Sequence, residues 1–289
     1  MNFDERVFRT FLIAVQPFKN KGLGNIKPVN SLFRKIEGKL LPTMRRVVHV
    51  NDYDLQLEAK SIDGIERQLI FNNEYEPVAT SILKKYVRSG MKVIDVGANI
   101  GYFTLLLSKL VDITGTVTAF EPERNNFRAL LNNIRLNNVG NIQAIQNAVG
   151  NNHEMLSLYI SSEESGEHSL IAKRHCKSEQ QIEVVRLDDV VKDTNVIKTD
   201  TEGNDFHVLQ GAERLLTSHP LLITEFWPEG ILKSGHTHKE FWDLLHVYYV
   251  DILIADEVEK TLTIGTLEDA LRRCQRNKLS VNLIGGFNV

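Results

Sequence analysis

Cysteine is scarce. Cys176 and Cys274 are the two in 289 residues, which leaves no disulfide framework and no Cys-x-x-Cys metal pair. A reducing cytoplasm is the expected home. Basic charge is not in excess either, with 34 Lys and Arg against 37 Asp and Glu and a net charge of −3. No overall positive field draws this chain to nucleic acid. No apolar run approaches the roughly 20 residues of a membrane span. The opening Met1-Asn2-Phe3-Asp4-Glu5 is acidic where a secretory signal would be basic. Internal repeats and low-complexity tracts are missing too. What is present is 42% hydrophobic residues, ample for one large α/β domain or two small ones.

One stretch organises the rest: Val93-Ile94-Asp95-Val96-Gly97-Ala98-Asn99-Ile100-Gly101-Tyr102-Phe103-Thr104. Val93, Ile94 and Val96 make the short apolar run of a parallel strand covered on both faces. Gly97 and Gly101 bracket a turn, and Asn99 between them visits left-handed backbone cheaply. From Ile100 the apolar spacing becomes helical, through Phe103, Leu106, Leu107 and Leu110. A strand that delivers Asp95 into a glycine turn at a helix start is a nucleotide-binding arrangement. The turn is not Gly-x-Gly-x-x-Gly, and it has no Lys to cradle phosphate. A ligand with an adenosine and no phosphate fits better, and S-adenosylmethionine is the common one.

On these residues the chain resembles class I S-adenosylmethionine-dependent methyltransferases, with Asn99 in place of the middle glycine of their first motif. The wording Asp-Val-Gly-Ala-Asn-x-Gly-x-Phe-Thr is most similar to the FkbM family, known chiefly for O-methylation of sugars and natural products. The resemblance implies a doubly wound, seven-stranded, mostly parallel sheet whose last strand is antiparallel. It implies S-adenosylmethionine as cofactor, with Asp95, Gly97, Asn99, Gly101, Phe103 and Thr104 at its site. Further along, Val196-Ile197-Lys198-Thr199-Asp200-Thr201-Glu202-Gly203 is a buried strand that places Asp200 at its carboxyl end. It matches the family's Lys-x-Asp-x-Glu-Gly pattern. Lys198 and Asp200, two apart, share a strand face.

The rest of the chain supports this in order. Residues 1–70 read as a helical leader and a small β-appendage, and 71–289 as the catalytic domain. In the leader Phe3, Val7, Phe8, Phe11, Leu12 and Val15 lie at helical spacing up to Pro17, for packing on the core, on a second subunit or on a membrane surface. Residues 46–59 alternate as strands around Asn51-Asp52, and Asp63-Gly64 is a turn. Pro77 suits a first helical turn. Glu76 before it either meets the cofactor, as the resemblance implies, or serves the helix dipole. Thr116 to Phe120 is the second strand, and Glu121 follows Gly101 by about 20 positions, where a carboxylate can accept from both ribose hydroxyls. A helix over 123–137 stacks Phe127, Leu130, Leu131 and Ile134 on one face.

Residues 142–148 are the third strand, ending in Asn147 and Ala148 near the expected adenine. Leu156, Leu158 and Ile160, then Ile182 and Val184, alternate as an inserted hairpin around the polar stretch 161–168. His168 in that stretch is a candidate for the acceptor, as are Glu225 and Trp227 after the fifth strand. Asp188 or Asp189 is expected to cap a short helix. One helix is expected to carry Phe206, Val208, Leu209 and Leu215, with Gly211 inside it and His207 on its first turn. His236 and His238 lack a third ligand, so no metal is expected.

The expected reaction is O-methylation of a sugar, glycan or natural-product hydroxyl. Asp200 is the first candidate for the base, with Glu202 and His207 behind it and Lys198 beside it. An amine, protein or nucleic-acid methyltransferase is the nearest alternative. An NAD-linked oxidoreductase and a non-catalytic adenosine binder stand further off.

Overall fold

The computed structural model describes residues 45–50, 53–60, 64–160, 178–277 and 280–287, with Val7, Thr10 and Ala14 helical ahead of them. His168, Cys176, the stretch 161–168, the Asn51-Asp52 turn, Asp63 and the rest of the leader lie outside the described residues.

Strands β1 (Arg45–Val50) and β2 (Leu55–Lys60) form an antiparallel hairpin. Their alternation sends Val48, Val50, Leu55, Leu57 and Ala59 to one buried face. Helices α1 (Gly64–Asn72) and α2 (Pro77–Tyr86) follow, with Pro77 in the first turn as expected. The hairpin is no detached appendage, because its buried face packs with Ile82, Leu83, Leu105 and Leu106 in one cluster.

Then come β3 (Lys92–Val96), α3 (Tyr102–Val111), β4 (Thr116–Phe120), α4 (Arg124–Leu136) and β5 (Ile142–Ile145). A side sheet holds β6 (Ala148–Val149), β7 (Glu154–Ile160) and β8 (Ser178–Val185). The chain returns through α5 (Leu187–Val190) to β9 (Val196–Thr199), α6 (Asp205–Gln210), α7 (Glu213–Leu216) and β10 (Leu221–Phe226). It ends with α8 (Pro228–Lys233), α9 (His238–Tyr248), β11 (Leu253–Asp256), β12 (Thr261–Ile264), α10 (Leu267–Asn277) and β13 (Val281–Gly285).

The main sheet runs β12-β11-β13-β10-β9-β3-β4-β5. From β5 to β10 neighbouring strands are parallel, and β13 enters antiparallel between β10 and β11. This is the expected doubly wound order, and β12 adds an eighth strand by folding back on β11. The strand order reverses between β3 and β9, so the crevice for a ligand opens beyond their carboxyl ends. Val93, Val196 and Ile223 face the layer that holds the hairpin, α2 and α3. Ile94, Ile197 and Leu222 face the layer of α6, α7 and α9.

Three local expectations are corrected. The third strand stops at Ile145, because Ala148 and Val149 pair with Val184 and Val185 of β8. Arg186, not an aspartate, precedes α5; Asp188 instead accepts from the Arg214 and Leu215 N–H groups at 2.8 and 3.1 Å and caps α7. The helix after β9 breaks at Gly211 into α6 and α7. A Cβ there would lie 2.0 Å from the Gly150 carbonyl oxygen. Gly→Ala in a helix is ordinarily stabilising by roughly 1 kcal/mol. Here Gly211→Ala is expected to destabilise by about 1–3 kcal/mol through overpacking against backbone, read as a lower melting temperature.

Candidate active site

Strand register assembles the site. Asp95 pairs with Lys198, Lys198 with Ile223, and Glu225 with Asn282 of β13. Cross-strand partners share a face, and so do residues two apart. Asp95, Lys198, Asp200, Glu225 and Asn282 therefore line one face at the carboxyl edge, under α2 and α3.

Lys198 is the hub. Its ammonium lies 3.4 Å from Asp200 Oδ2, 3.8 Å from Asp95 Oδ1 and 4.7 Å above the Phe103 ring. Burial opposes its charge, yet the flanking Asp200 and Asp95 carboxylates win and hold its pKa above that of a free lysine. Asp95 is wholly buried, and its Oδ2 accepts from the Thr104 hydroxyl at 2.6 Å. Burial raises the Asp95 pKa, against the pull of Lys198 and Thr104. Thr104 and Phe103, expected at the cofactor, lie in the buried layer around Asp95 and Lys198. Thr104 is wholly buried and braces Asp95, and Phe103 supports the ammonium.

The glycine turn is built as the sequence suggests. Gly97 has φ +80°, and a Cβ on it would meet the Asp200 carbonyl oxygen at 1.9 Å, so the loops after β3 and β9 touch there. Asn99 is left-handed at φ 50°, and Gly101 has φ 98°. Glu121 Oε2 accepts the Asn99 N–H at 2.7 Å and its Oε1 accepts the Glu123 N–H at 2.8 Å. Burial pushes the Glu121 carboxyl up to about 7, against these two amides.

Glu76 enters from the start of α2. It is left-handed, φ 43°, and its Oε2 accepts from Asn282 Nδ2 at 3.1 Å. Burial and the nearby Asp200 push its carboxyl up to about 8. Burial, then Asp200 and Glu202, hold Glu225 well above the usual carboxylate range. The Tyr75 hydroxyl is likewise raised, by burial and then by Glu76, Asp200, Glu225 and Glu202. Glu202 is left-handed too, φ 54°, on the turn leading into Gly203. Asn99 takes this conformation cheaply, whereas Glu76 and Glu202 bring two strained backbones to the site.

Other candidates fall elsewhere. His207 rides on α6, the helix packed on the opposite sheet face. Asn204 Nδ2 donates to the Val149 carbonyl, so its Oδ1 accepts from His207 Nδ1–H at 3.0 Å. His207 Nε2 then carries a lone pair, which faces His236 Nε2 at 3.2 Å. Its ring is thus engaged with His236 and not with Lys198 or Asp200. Asn147 Nδ2 donates to the Glu183 carboxylate at 2.9 Å, and Ala148 is buried in the side sheet. Trp227 is half-buried against Gly203 and Gly230, with the Lys233 ammonium 5.5 Å from its ring. His238 Nε2 bonds the Pro228 carbonyl. Among the described residues no group of three or more His, Cys, Asp and Glu is set to hold a metal, and no helix is long and apolar enough to cross a membrane. Sequence reasoning missed Asn282, Asp205 and Glu257. Asp205, buried on the α6 side, accepts from the Thr199 hydroxyl and is pushed by burial up to about 6.

Comparison with known proteins places the chain in a family. The model of the methyltransferase FkbM domain matches residues 95–253. Methyltransferase 1 of Beauveria bassiana (strain ARSEF 2860) is 30% identical over 145 residues, which are 42% of this chain and 58% of that protein. The chain thus spans less than two thirds of that relative. Among solved structures, methyltransferase FkbM from Methylobacillus flagellatus KT is 20% identical over 68% of this chain and 43% of that one, with a TM-score of 0.43. Precorrin-6y C5,15-methyltransferase from Geobacter metallireducens GS-15 is 14% identical over 82% and 95%, also with a TM-score of 0.43. With the family's model covering more than half of its length, this chain belongs to the methyltransferase FkbM domain family.

Proposed function

We propose that the protein is an S-adenosylmethionine-dependent methyltransferase whose acceptor is a hydroxyl of a sugar, glycan or natural product. The observation that carries the cofactor is the kind of atom left over at the site. Asn99 Oδ1, Glu225 Oε2 and the Thr201 hydroxyl are buried and have no hydrogen-bond partner among the described residues, and Asp95 Oδ1 faces the Lys198 ammonium at 3.8 Å. All four can accept, and the hydroxyl alone is built to donate as well. They fit a ligand that brings donors and positive charge, and they oppose the pyrophosphate of NAD. Bound S-adenosylmethionine supplies a methyl that is already activated.

The chain's own part is to bind, orient and take a proton. Glu121, held by two backbone amides, accepts from the ribose hydroxyls. Glu76 lies against the cofactor. Asp200 takes the proton of the acceptor hydroxyl, with Glu202 and Glu225 around it and Trp227 against a sugar face. The hydroxyl acceptor rests on the family resemblance. The excess of carboxylates also suits an amine, and a panel of polyols and amines with mass analysis of the product separates the two.

Calorimetric titration with S-adenosylmethionine, S-adenosylhomocysteine and NAD tests the cofactor. Micromolar binding of the two sulfur nucleosides, abolished in Glu121→Ala, is expected; preferential NAD binding would overturn the reading. The pH dependence has a definite sign. Glu121 and Glu76 titrate at about 7 and about 8 in the empty protein, and the bound state needs their ionised forms. Affinity is therefore expected to rise with pH up to about 8, by up to tenfold per unit for each proton lost. A flat profile would mean that neither carboxyl must ionise.

A further inference from the structure

Glu76 occupies the position before the first turn of α2, where a side chain ordinarily turns back to cap the free N–H groups. It makes no such bond. Its carboxylate points to Asn282, 206 positions further on, at 3.1 Å. Asn282 is the cross-strand partner of Glu225, so this contact sets Glu76 beside the acidic face of the sheet. The cap is supplied from elsewhere. Glu257 Oε2 accepts the Val78 N–H and its Oε1 the Ala79 N–H, each at 2.8 Å. Glu257 stands on the turn after β11, and that turn is itself fixed. Asp256 Oδ1 accepts from the Val258 and Glu259 N–H groups at 3.0 Å, and Arg276 lies 2.8 Å from the Glu259 carboxylate. Both glutamates lie outside residues 95–253, the span that the family defines.

We propose that Glu257 is a positioning residue: by capping α2 from the far end of the chain it frees the Glu76 carboxylate for the cofactor site and holds its left-handed backbone there. Two separate demands meet at one helix start. The amides of α2 need an acceptor, and the site needs a carboxylate. A single side chain cannot meet both. Without Glu257 those amides lose their acceptor, and Glu76, at the cap position, is placed to turn back to them, which takes it away from Asn282. The inference rests on the reading of this site as one for S-adenosylmethionine.

The experiment is a double-mutant cycle on the full chain, read as the dissociation constant for S-adenosylmethionine by calorimetry well below the melting temperature. Glu257→Ala is expected to weaken binding about tenfold, and Glu257→Gln, whose amide oxygen still accepts, about threefold. In a Glu76→Gln background neither is expected to weaken it further. Should Glu257→Ala not fold, the cycle runs on Glu257→Gln. Equal losses with and without the Glu76 carboxylate, or an unchanged constant together with a lower melting temperature, would make Glu257 a purely structural cap and overturn the inference. Absence of binding to the wild-type protein would overturn the cofactor reading first and this inference with it.

Discussion

Replacing Asp200 by asparagine is expected to leave S-adenosylmethionine binding intact and to lower turnover by roughly 10²-fold or more, the scale of a lost general base. The substitution keeps the shape of the side chain. Lys198 donates to Asp200 Oδ2, which the asparagine can keep as its amide oxygen. The ammonium keeps a second carboxylate, Asp95 at 3.8 Å, and so stays paired in the variant. The loop after β3 is touched through the Asp200 backbone carbonyl, packed against Gly97, which the substitution preserves. What is removed is the capacity to take a proton at one atom. Single-turnover kinetics at saturating cofactor measure the loss. The competing carboxylate is Glu225, which burial keeps well above the usual range. If Asp200→Asn turns over normally and Glu225→Gln does not, the base is Glu225.

Much of this site is legible in the sequence because its parts are local. Val93 to Thr104 carries a strand, a turn and a helix start in twelve consecutive residues. Lys198 and Asp200 share a face through the period of two alone. Glu121 follows from the length of one βα unit. What is not legible depends on distance along the chain. Asn282 reads as one polar residue in a closing strand, and only the antiparallel entry of β13 beside β10 makes it the partner of Glu225 and Glu76. Glu257 reads as a turn residue, yet its carboxylate caps a helix 179 positions earlier. His207 sits one turn from the motif and looks like a member of the site. The helix that carries it packs on the other face of the sheet, and the tautomer set by Asn204 turns it to His236. Gly211 reads as a weak point within one helix because nothing nearby in sequence announces the Gly150 carbonyl pressed against it.

Lys198→Met is expected to have the largest effect on stability of any single change at this site. The side chain is 4% exposed, and its two partners are 0% and 23% exposed. Methionine fills a similar volume and keeps contact with Phe103, so little packing is lost. What is lost is the charge that makes Asp95 tolerable at zero exposure. Removing one partner of a buried ion pair typically costs 3–5 kcal/mol, about 10 °C of melting temperature for a chain of this size. The pH dependence separates this cause from lost packing. Burial already raises the Asp95 pKa with Lys198 present. In the variant it rises further, so the folded state binds a proton that the unfolded chain, titrating near 3.9, does not hold. The variant therefore loses stability relative to wild type once pH climbs past the already raised Asp95 pKa of the wild-type protein, until Asp95 ionises in the folded variant. Thermal unfolding at about pH 5 and about pH 8 is expected to show the smaller deficit at pH 5. A deficit equal at both would assign the loss to the stem of Lys198 and its contact with Phe103. Adding Asp95→Asn to Lys198→Met provides the complementary check. An uncharged pair should recover most of the lost stability at pH 8 if the buried carboxylate is what the lysine is there to neutralise.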